Sequence, residues 1–170
     1  RRPGPGRGYR TGRHRSRVKG HPEVNGELPV ATLADEIETP GEGQVRALVT
    51  VAGNPVVSTP DAGRLDAALA SLECMVSVDI YRNETTRHAN VILPPPSPLE
   101  RSECHLAFFG LSVRNYVSWS PPVFEPAGPG EHEIISRLAL IAGGQGADAD
   151  PATVDELLLT GVLAPAVADT

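Results

Sequence analysis

An α/β fold built on a short parallel sheet is what this sequence predicts, and three of its features carry that prediction. Residues 45–52 (VRALVTVA) form a continuous, β-branched apolar run of the kind found in strands covered on both faces. Residues 74–80 (CMVSVDI) form a second such run. Between them, residues 61–72 place Leu65, Ala68, Leu69 and Leu72 on one stripe, as an amphipathic helix does. Strand, helix and strand in succession make a β-α-β unit, whose crossover is right-handed and whose strands are therefore parallel.

The remaining elements follow in chain order. Residues 1–22 are rich in Gly, Pro and Arg and read as a disordered or loop-like lead-in, because such a composition buries too little apolar surface to offset chain entropy. Residues 28–37 space Leu28, Val30, Leu33 and Ile37 as a short helix that Pro40-Gly41 ends. Strand 45–52 lies between Gly43 and Gly53, and a Gly-Asn-Pro turn follows. The helix over 61–72 is expected to be capped by Thr59 or Asp61, with Pro60 in its first turn. A short helix over 84–89 and a third strand over 91–93 come next, and the proline-rich stretch 94–98 must stop that strand. Residues 105–124 show no clean period and read as irregular or partly extended. Residues 131–142 form a clearer helix with Ile134, Ile135, Leu138 and Ile141 on one face. A linker over 143–150 and a last short helix over 151–163 complete the chain. The organisation predicted is a lead-in over 1–22, an α/β domain over 23–142, and a linker with a short helix over 143–170.

Charge is divided unevenly. Residues 1–19 hold 8 of the 15 basic residues and no acid, leaving 7 basic against 21 acidic residues beyond them. A Gly/Arg-rich segment of this kind can track a nucleic-acid backbone, but it carries one aromatic, Tyr9, and no repeated RGG unit, so a solvated surface segment is preferred and no nucleic-acid partner is expected. No stretch has the apolar length of a signal peptide core or a transmembrane helix, and a cytoplasmic location is the expectation. Cys74 and Cys104 stand thirty positions apart, a spacing that supplies neither a disulfide framework nor an iron–sulfur site. His14, His21, His88, His105 and His132 lack metal-ligand spacing and are read as surface or structural. No catalytic residue and no metal ligand is assigned. No GxGxxG or phosphate-loop motif is present either.

In open α/β sheets, ligands sit beyond the carboxyl ends of the strands. Two loops qualify. The first is Gly53-Asn54-Pro55: Gly53 permits close backbone approach, Pro55 fixes the exit, and Asn54 offers both a donor and an acceptor. An ordinary turn is the alternative. The second follows strand 74–80 and contains Val78 and Asp79. A carboxylate there can take two hydrogen bonds from a ribose diol or a guanine edge, or can serve as a helix cap or a solvated loop residue. Glu100-Arg101 is a candidate polar pair in which Arg suits a phosphate, with a surface ion pair as the alternative.

The ordered combination VTVAGNPVVSTPD, then VSVDIYRNETTRHANVILPPPSPLER, resembles the third, nucleotide-binding domain of the bis-molybdopterin guanine dinucleotide oxidoreductases. That family includes formate dehydrogenases, periplasmic nitrate reductases and dimethyl sulfoxide reductase. Its members read Gly-x-Asn-Pro in the first loop and Asp-x-Phe/Tyr-x-x-Glu-Thr-x-x-x-Ala-Asp-Val-Ile/Val-Leu-Pro in the second. Asp79, Tyr81, Glu84, Thr85, Ala89, Val91, Ile92, Leu93 and Pro94 fall in register, with Asn90 where the family carries Asp. The similarity spans roughly residues 44–140.

This resemblance implies a Rossmann-like parallel-sheet domain with flanking helices. It implies that Gly53 and Asn54 meet one molybdopterin guanine dinucleotide, and that Val78, through its backbone, and Asp79 hold the nucleotide end. Arg101 matches a basic position that meets the cofactor in relatives resembling the nitrate reductases, and Glu131 stands where those relatives carry an Asp on the nucleotide. Glu84-Thr85 reads better as packing and capping. The cofactor implied is bis-molybdopterin guanine dinucleotide with molybdenum, shared with N- and C-terminal domains that lie outside these residues. A 4Fe–4S cluster belongs to the parent enzyme and not to this segment. The chain is thus read as a fragment of a molybdenum oxidoreductase, not catalytically competent alone. Its parent transfers electrons between a small, formate-like substrate and an iron–sulfur relay. Residues 45–48 and 120–126 are the stretches closest to formate-dehydrogenase-like members. The alternative is a non-enzymatic nucleotide-binding or interaction module derived from the same fold.

Overall fold

The computed structural model describes residues 11–105, 111–114 and 116–163. The chain packs as two units, one up to Ile92 and one from Leu93 onward.

The first unit contains the predicted β-α-β. Strand β3 (Ala47–Val51) and strand β4 (Cys74–Val78) pair in parallel, Ala47 opposite Cys74 through to Val51 opposite Val78, and the Ala52 N–H extends the ladder onto the Val78 carbonyl at 2.9 Å. Strand β5 (Val91–Leu93) completes a three-stranded sheet in the order β3-β4-β5. Asn90 leads into it with its side-chain oxygen accepting the Met75 N–H at 2.7 Å, so the amide does the acceptor work that a carboxylate would do at this position. Two strands precede this sheet, β1 (Thr11–Arg15) and β2 (Pro22–Val24), and both belong to a separate antiparallel hairpin.

Three helices of the unit pack by their apolar stripes: α1 (Leu33–Glu38), α2 (Pro55–Ser58) and α3 (Ala62–Ala70). Ala34 and Ile37 of α1, Val56 of α2, and Leu65, Ala68 and Leu69 of α3 close with Met75 into one buried core against which Leu48 also packs. Burial alternates along β3, leaving Ala47, Val49 and Val51 on the face away from this core.

The structure departs from the sequence expectation at both ends of this unit's helices. Residues 55–58 form a full turn of helix rather than a loop, with Pro55 at its first position where its missing N–H costs nothing. Neither expected cap of α3 is made. The Thr59 hydroxyl turns back to the Pro55 carbonyl at 2.7 Å, and Asp61 sits at φ 59° in the left-handed region without a side-chain cap bond.

The lead-in needs a larger correction. Residues 1–10 lie outside the described residues, but 11–22 do not lack regular structure, because β1 pairs with β2 through a bulge between Thr11 and Arg15. Ion pairing decides the matter. Glu23, fully buried, receives the Arg13 backbone N–H at 2.9 Å and the Arg13 guanidinium at 2.7–2.8 Å. Arg17 reaches the Thr39 carbonyl at 2.6 Å and the Glu36 carboxylate at 3.3 Å, and Lys19 lies 2.7 Å from Asp35. Arg17 and Lys19, which composition reads as part of a solvated tail, thus neutralise acids of α1, and Arg13 neutralises Glu23.

In the second unit, α4 (Glu131–Ala142) has the predicted limits. Glu131 and Glu133 sit in its first turn where the helix dipole favours acids, and Gly144 at φ 86° ends it with the Gln145 N–H on the Leu140 carbonyl. Within the region read as irregular or partly extended, β7 (Trp119–Ser120) pairs antiparallel with β6 (Glu103–Cys104), which lies just before it. Helix α5 (Ala152–Leu158) runs on through a wider turn over 159–163. No helix among the described residues is long and apolar enough to cross a membrane.

Candidate functional site

The parallel pairing of β3 and β4 brings their two following loops side by side at the carboxyl edge of the sheet, and polar side chains then tie the loops together. From the first loop, Asn54 Oδ1 accepts the Thr85 hydroxyl at 2.7 Å, and Asn54 Nδ2 donates to Glu84 Oε2 at 2.8 Å. Thr85 is fully buried, and its oxygen accepts the Val56 N–H at 3.1 Å. From the second loop, Asp79 accepts the Tyr81 N–H at 2.8 Å on one oxygen and Asn83 Nδ2 at 3.3 Å on the other. Asn83 Oδ1 in turn receives the N–H groups of Thr85 and Thr86 at 3.0 and 2.9 Å. A continuous path of hydrogen bonds therefore runs from Asp79 through Asn83 and Thr85 to Asn54.

Electrostatics follow from these contacts. The Asn54 amide beside Glu84 holds that carboxyl below its ordinary range, helped by the loop backbone and by Arg87. Asp79 is buried, yet each of its oxygens accepts a single partner and keeps a lone pair for another donor. At Gly53 a Cβ would sit in ordinary van der Waals contact, 3.6 Å from the Val51 carbonyl and 3.9 Å from the Pro55 ring. The Val78 carbonyl is taken by Ala52, which itself turns with φ 48°.

Of the residues singled out from sequence, Gly53, Asn54, Val78 and Asp79 meet in this first-unit cluster. Arg101 and Glu131 meet in the second unit, where Arg101 Nη1 donates to Glu131 Oε2 at 2.6 Å. Glu100 is not the partner of Arg101. Its carboxylate accepts the Ser97 N–H at 2.8 Å, which keeps its proton affinity low. Arg101 and Glu131 line a cavity of about 760 Å³ together with His132, Cys104 and Ile135, and the buried Nε of Arg101 has no acceptor. A Cβ on Gly130 would lie 2.7 Å from the His132 ring, so only glycine fits that wall without moving the ring. Asn83 and Thr85 were not assigned a ligand role from the sequence. An Asn followed by two threonines is a signal for side-chain-closed turns, which gives the local fold but not the reach of Thr85 to a residue 31 positions earlier. Among the described residues no group of His, Cys, Asp and Glu is placed to hold a metal ion.

Comparison with known proteins identifies the family. The model of the molybdopterin oxidoreductase family matches residues 3–127. The assimilatory nitrate reductase catalytic subunit of Bacillus subtilis is 36% identical over 76 residues, covering 44% of this chain and 11% of that protein. A formate dehydrogenase alpha subunit of Methanococcus maripaludis is 36% identical over 70 residues, 41% of this chain and 10% of its own length. The dimethyl sulfoxide/trimethylamine N-oxide reductase of Rhodobacter capsulatus is 31% identical over 87 residues, 45% of this chain and 11% of that protein. The aligned part thus amounts to about a tenth of each of these relatives, and their names point to different substrates. The matched span, well over half of the sequence and inclusive of both strand-end loops, shows that the chain belongs to the molybdopterin oxidoreductase family.

Proposed function

We propose that this chain binds the guanosine end of one molybdopterin guanine dinucleotide, as one segment of an enzyme that carries a bis-molybdopterin guanine dinucleotide cofactor with molybdenum. The observation that carries this reading is the pair of tied loops at the carboxyl ends of β3 and β4, where Asp79 and Asn54 keep unused hydrogen-bonding capacity.

The residues present fit such a group. Asp79 accepts from a guanine edge or a ribose diol, Asn54 donates to an oxygen, and the backbone at Gly53 and Val78 belongs to the same two strand ends. In the second unit, Arg101 offers its unpartnered Nε to an anionic oxygen, and Glu131 holds the guanidinium in place. The cavity there has the volume of an ordinary small-molecule site. When bound, the cofactor supplies the redox chemistry through its metal, and the protein supplies binding and orientation. Catalysis is assigned to the whole enzyme, in which an N-terminal part brings the 4Fe–4S cluster and a further C-terminal domain closes the cofactor site. A small, formate-like substrate is the choice that residues 45–48 and 120–126 favour, and a cytoplasmic location goes with it. The domain limits proposed are 23–142 for the cofactor-binding part and 143–170 for the linker and short helix that follow.

Titration of the chain with guanosine 5′-diphosphate tests this. Asp79→Asn keeps an acceptor for Tyr81 but removes the charge, and is expected to weaken binding about tenfold or more, the effect of one charge-assisted bond of about 1.5–3 kcal/mol. Asp61→Ala, at the start of α3, is expected to stay within about twofold of wild type. Equal affinity in the two variants sinks the assignment of Asp79.

A further inference from the structure

The geometry points to Thr85 as the positioning residue of this site: its buried hydroxyl sets which way the Asn54 amide faces, and so makes Asn54 a donor to a ligand oxygen. This inference rests on the proposed cofactor-binding role of Asn54 and names the device that gives Asn54 its polarity.

A hydroxyl has one proton to give and two lone pairs. The Val56 N–H can only donate, and it donates to Thr85 Oγ1 at 3.1 Å. The hydroxyl proton is thereby left for the other close partner, the Asn54 side chain at 2.7 Å, and the atom that receives it must be Oδ1. The opposite side of the amide reaches the same answer independently. A carboxylate can only accept, and Glu84 Oε2 lies 2.8 Å from Nδ2. Two partners of opposite character thus fix one orientation. One proton of Nδ2 is spent on Glu84, and the second is available to an oxygen of a ribose or phosphate. Because Thr85 is fully buried, no water can replace its hydroxyl. Its own N–H is held by Asn83 Oδ1 at 3.0 Å, and Asn83 also holds Asp79, so the residue that orients Asn54 is braced by the loop that carries the carboxylate.

The test uses Thr85→Val, which keeps the volume and deletes the hydroxyl, Thr85→Ser, which restores it, and Glu84→Ala, which removes the exposed partner alone. Two readouts are taken: the nuclear Overhauser contacts of the Asn54 Nδ2 protons in the ligand-free chain, which report which way the amide faces, and its affinity for guanosine 5′-diphosphate. Wild type and Thr85→Ser are expected to show both protons on the Glu84 side of the amide and none beside the residue 85 side chain, with affinities within about twofold of each other. Thr85→Val is expected to lose that single orientation, with Nδ2 protons seen beside the residue 85 side chain as well, and to weaken affinity about tenfold, as loss of one hydrogen bond does. Should Thr85→Val lower the folded fraction, Thr85→Cys, with a weak donor in the same place, carries the same comparison. A lost orientation with unchanged affinity overturns the positioning role and leaves the cofactor reading standing. A fixed orientation with no binding of the diphosphate by wild type overturns the cofactor reading itself, and Asn54 as a ligand donor with it. Release of the amide by Glu84→Ala instead of Thr85→Val moves the orienting role to Glu84 and ends the proposal.

Discussion

The arm over residues 11–24 and the loops after β3 and β4 are both closed by polar side chains reaching far along the chain, but they are closed by different chemistry. In the arm, three ion pairs carry the side-chain contacts to acids: Arg13 with Glu23, Arg17 with Glu36, and Lys19 with Asp35, which Arg64 of α3 also meets at 2.7 Å. In the loops, the central contacts are neutral: Thr85 with Asn54, Asn83 with the Thr85 and Thr86 backbone. The charged contacts spend themselves on one another and fasten a segment that has little apolar surface of its own. The neutral contacts brace a frame that still has donors and acceptors left over. The first arrangement holds the fold, and the second is suited to hold something else.

Acid separates the two most strongly. Lys19, then Arg64, hold the Asp35 carboxyl below its ordinary value of 3.8, and Arg13 holds Glu23 below 4.5 despite an opposing effect of burial. Folding therefore lowers both proton affinities, so their contribution to stability is in place above those ordinary values and is lost as the pH falls through the lower, folded ones. Amide protection at Arg13 and Gly26, whose N–H groups donate to the Glu23 carboxylate, is expected to disappear over that fall. Protection at Val56, Thr85 and Thr86, whose acceptors are a hydroxyl and an amide, is expected to persist. Simultaneous loss at both sets breaks the distinction.

A substitution sharpens it at constant pH. Arg17→Met removes the contacts to Thr39 and Glu36 while keeping the apolar stem, and is expected to cost about 1.5–3 kcal/mol in urea unfolding. It should leave the affinity for guanosine 5′-diphosphate unchanged. A tenfold change in that affinity would mean that the arm and the loops act as one system.

The smallest effect expected is a gain. Asp61 adopts a left-handed backbone without using its side chain as a cap, so Asp61→Gly removes strain and should add up to about 1 kcal/mol of stability. Loss of stability on that change would show that Asp61 has a contact of its own to lose.

What was legible in the sequence is what depends on local periodicity. The stripe of Leu65, Ala68, Leu69 and Leu72 and the stripe of Ile134, Ile135, Leu138 and Ile141 each gave a helix in place, although the buried face of the second runs through Ile134, Ser136 and Leu140 and leaves Ile135 and Ile141 exposed, and the β-branched runs gave two parallel strands. Asn54 and Asp79 were legible as candidates because position at a strand end is itself a chemical statement. The arm was not, since Gly- and Arg-rich composition describes a solvated chain until the acids of α1 are known to lie beside it. The four-residue helix α2 was too short for any period to reveal. Nor could the partner of Arg101 be read, because Glu131 is thirty positions away and Glu100 stands next door, already committed to Ser97.

Strand β3 lies at the margin of its sheet, and the face it turns from the core carries Val49 and Val51, both exposed. An outer strand of this kind offers a row of unpaired N–H and C=O groups beside an oily surface, which is a template for another strand to add itself. For anyone preparing the isolated chain, this makes concentration the variable to watch, because edge-to-edge association grows with it. A lysine in place of Val49 is the gatekeeper such edges tolerate, since it lies on the far side of the sheet from the packed core and leaves both strand-end loops untouched.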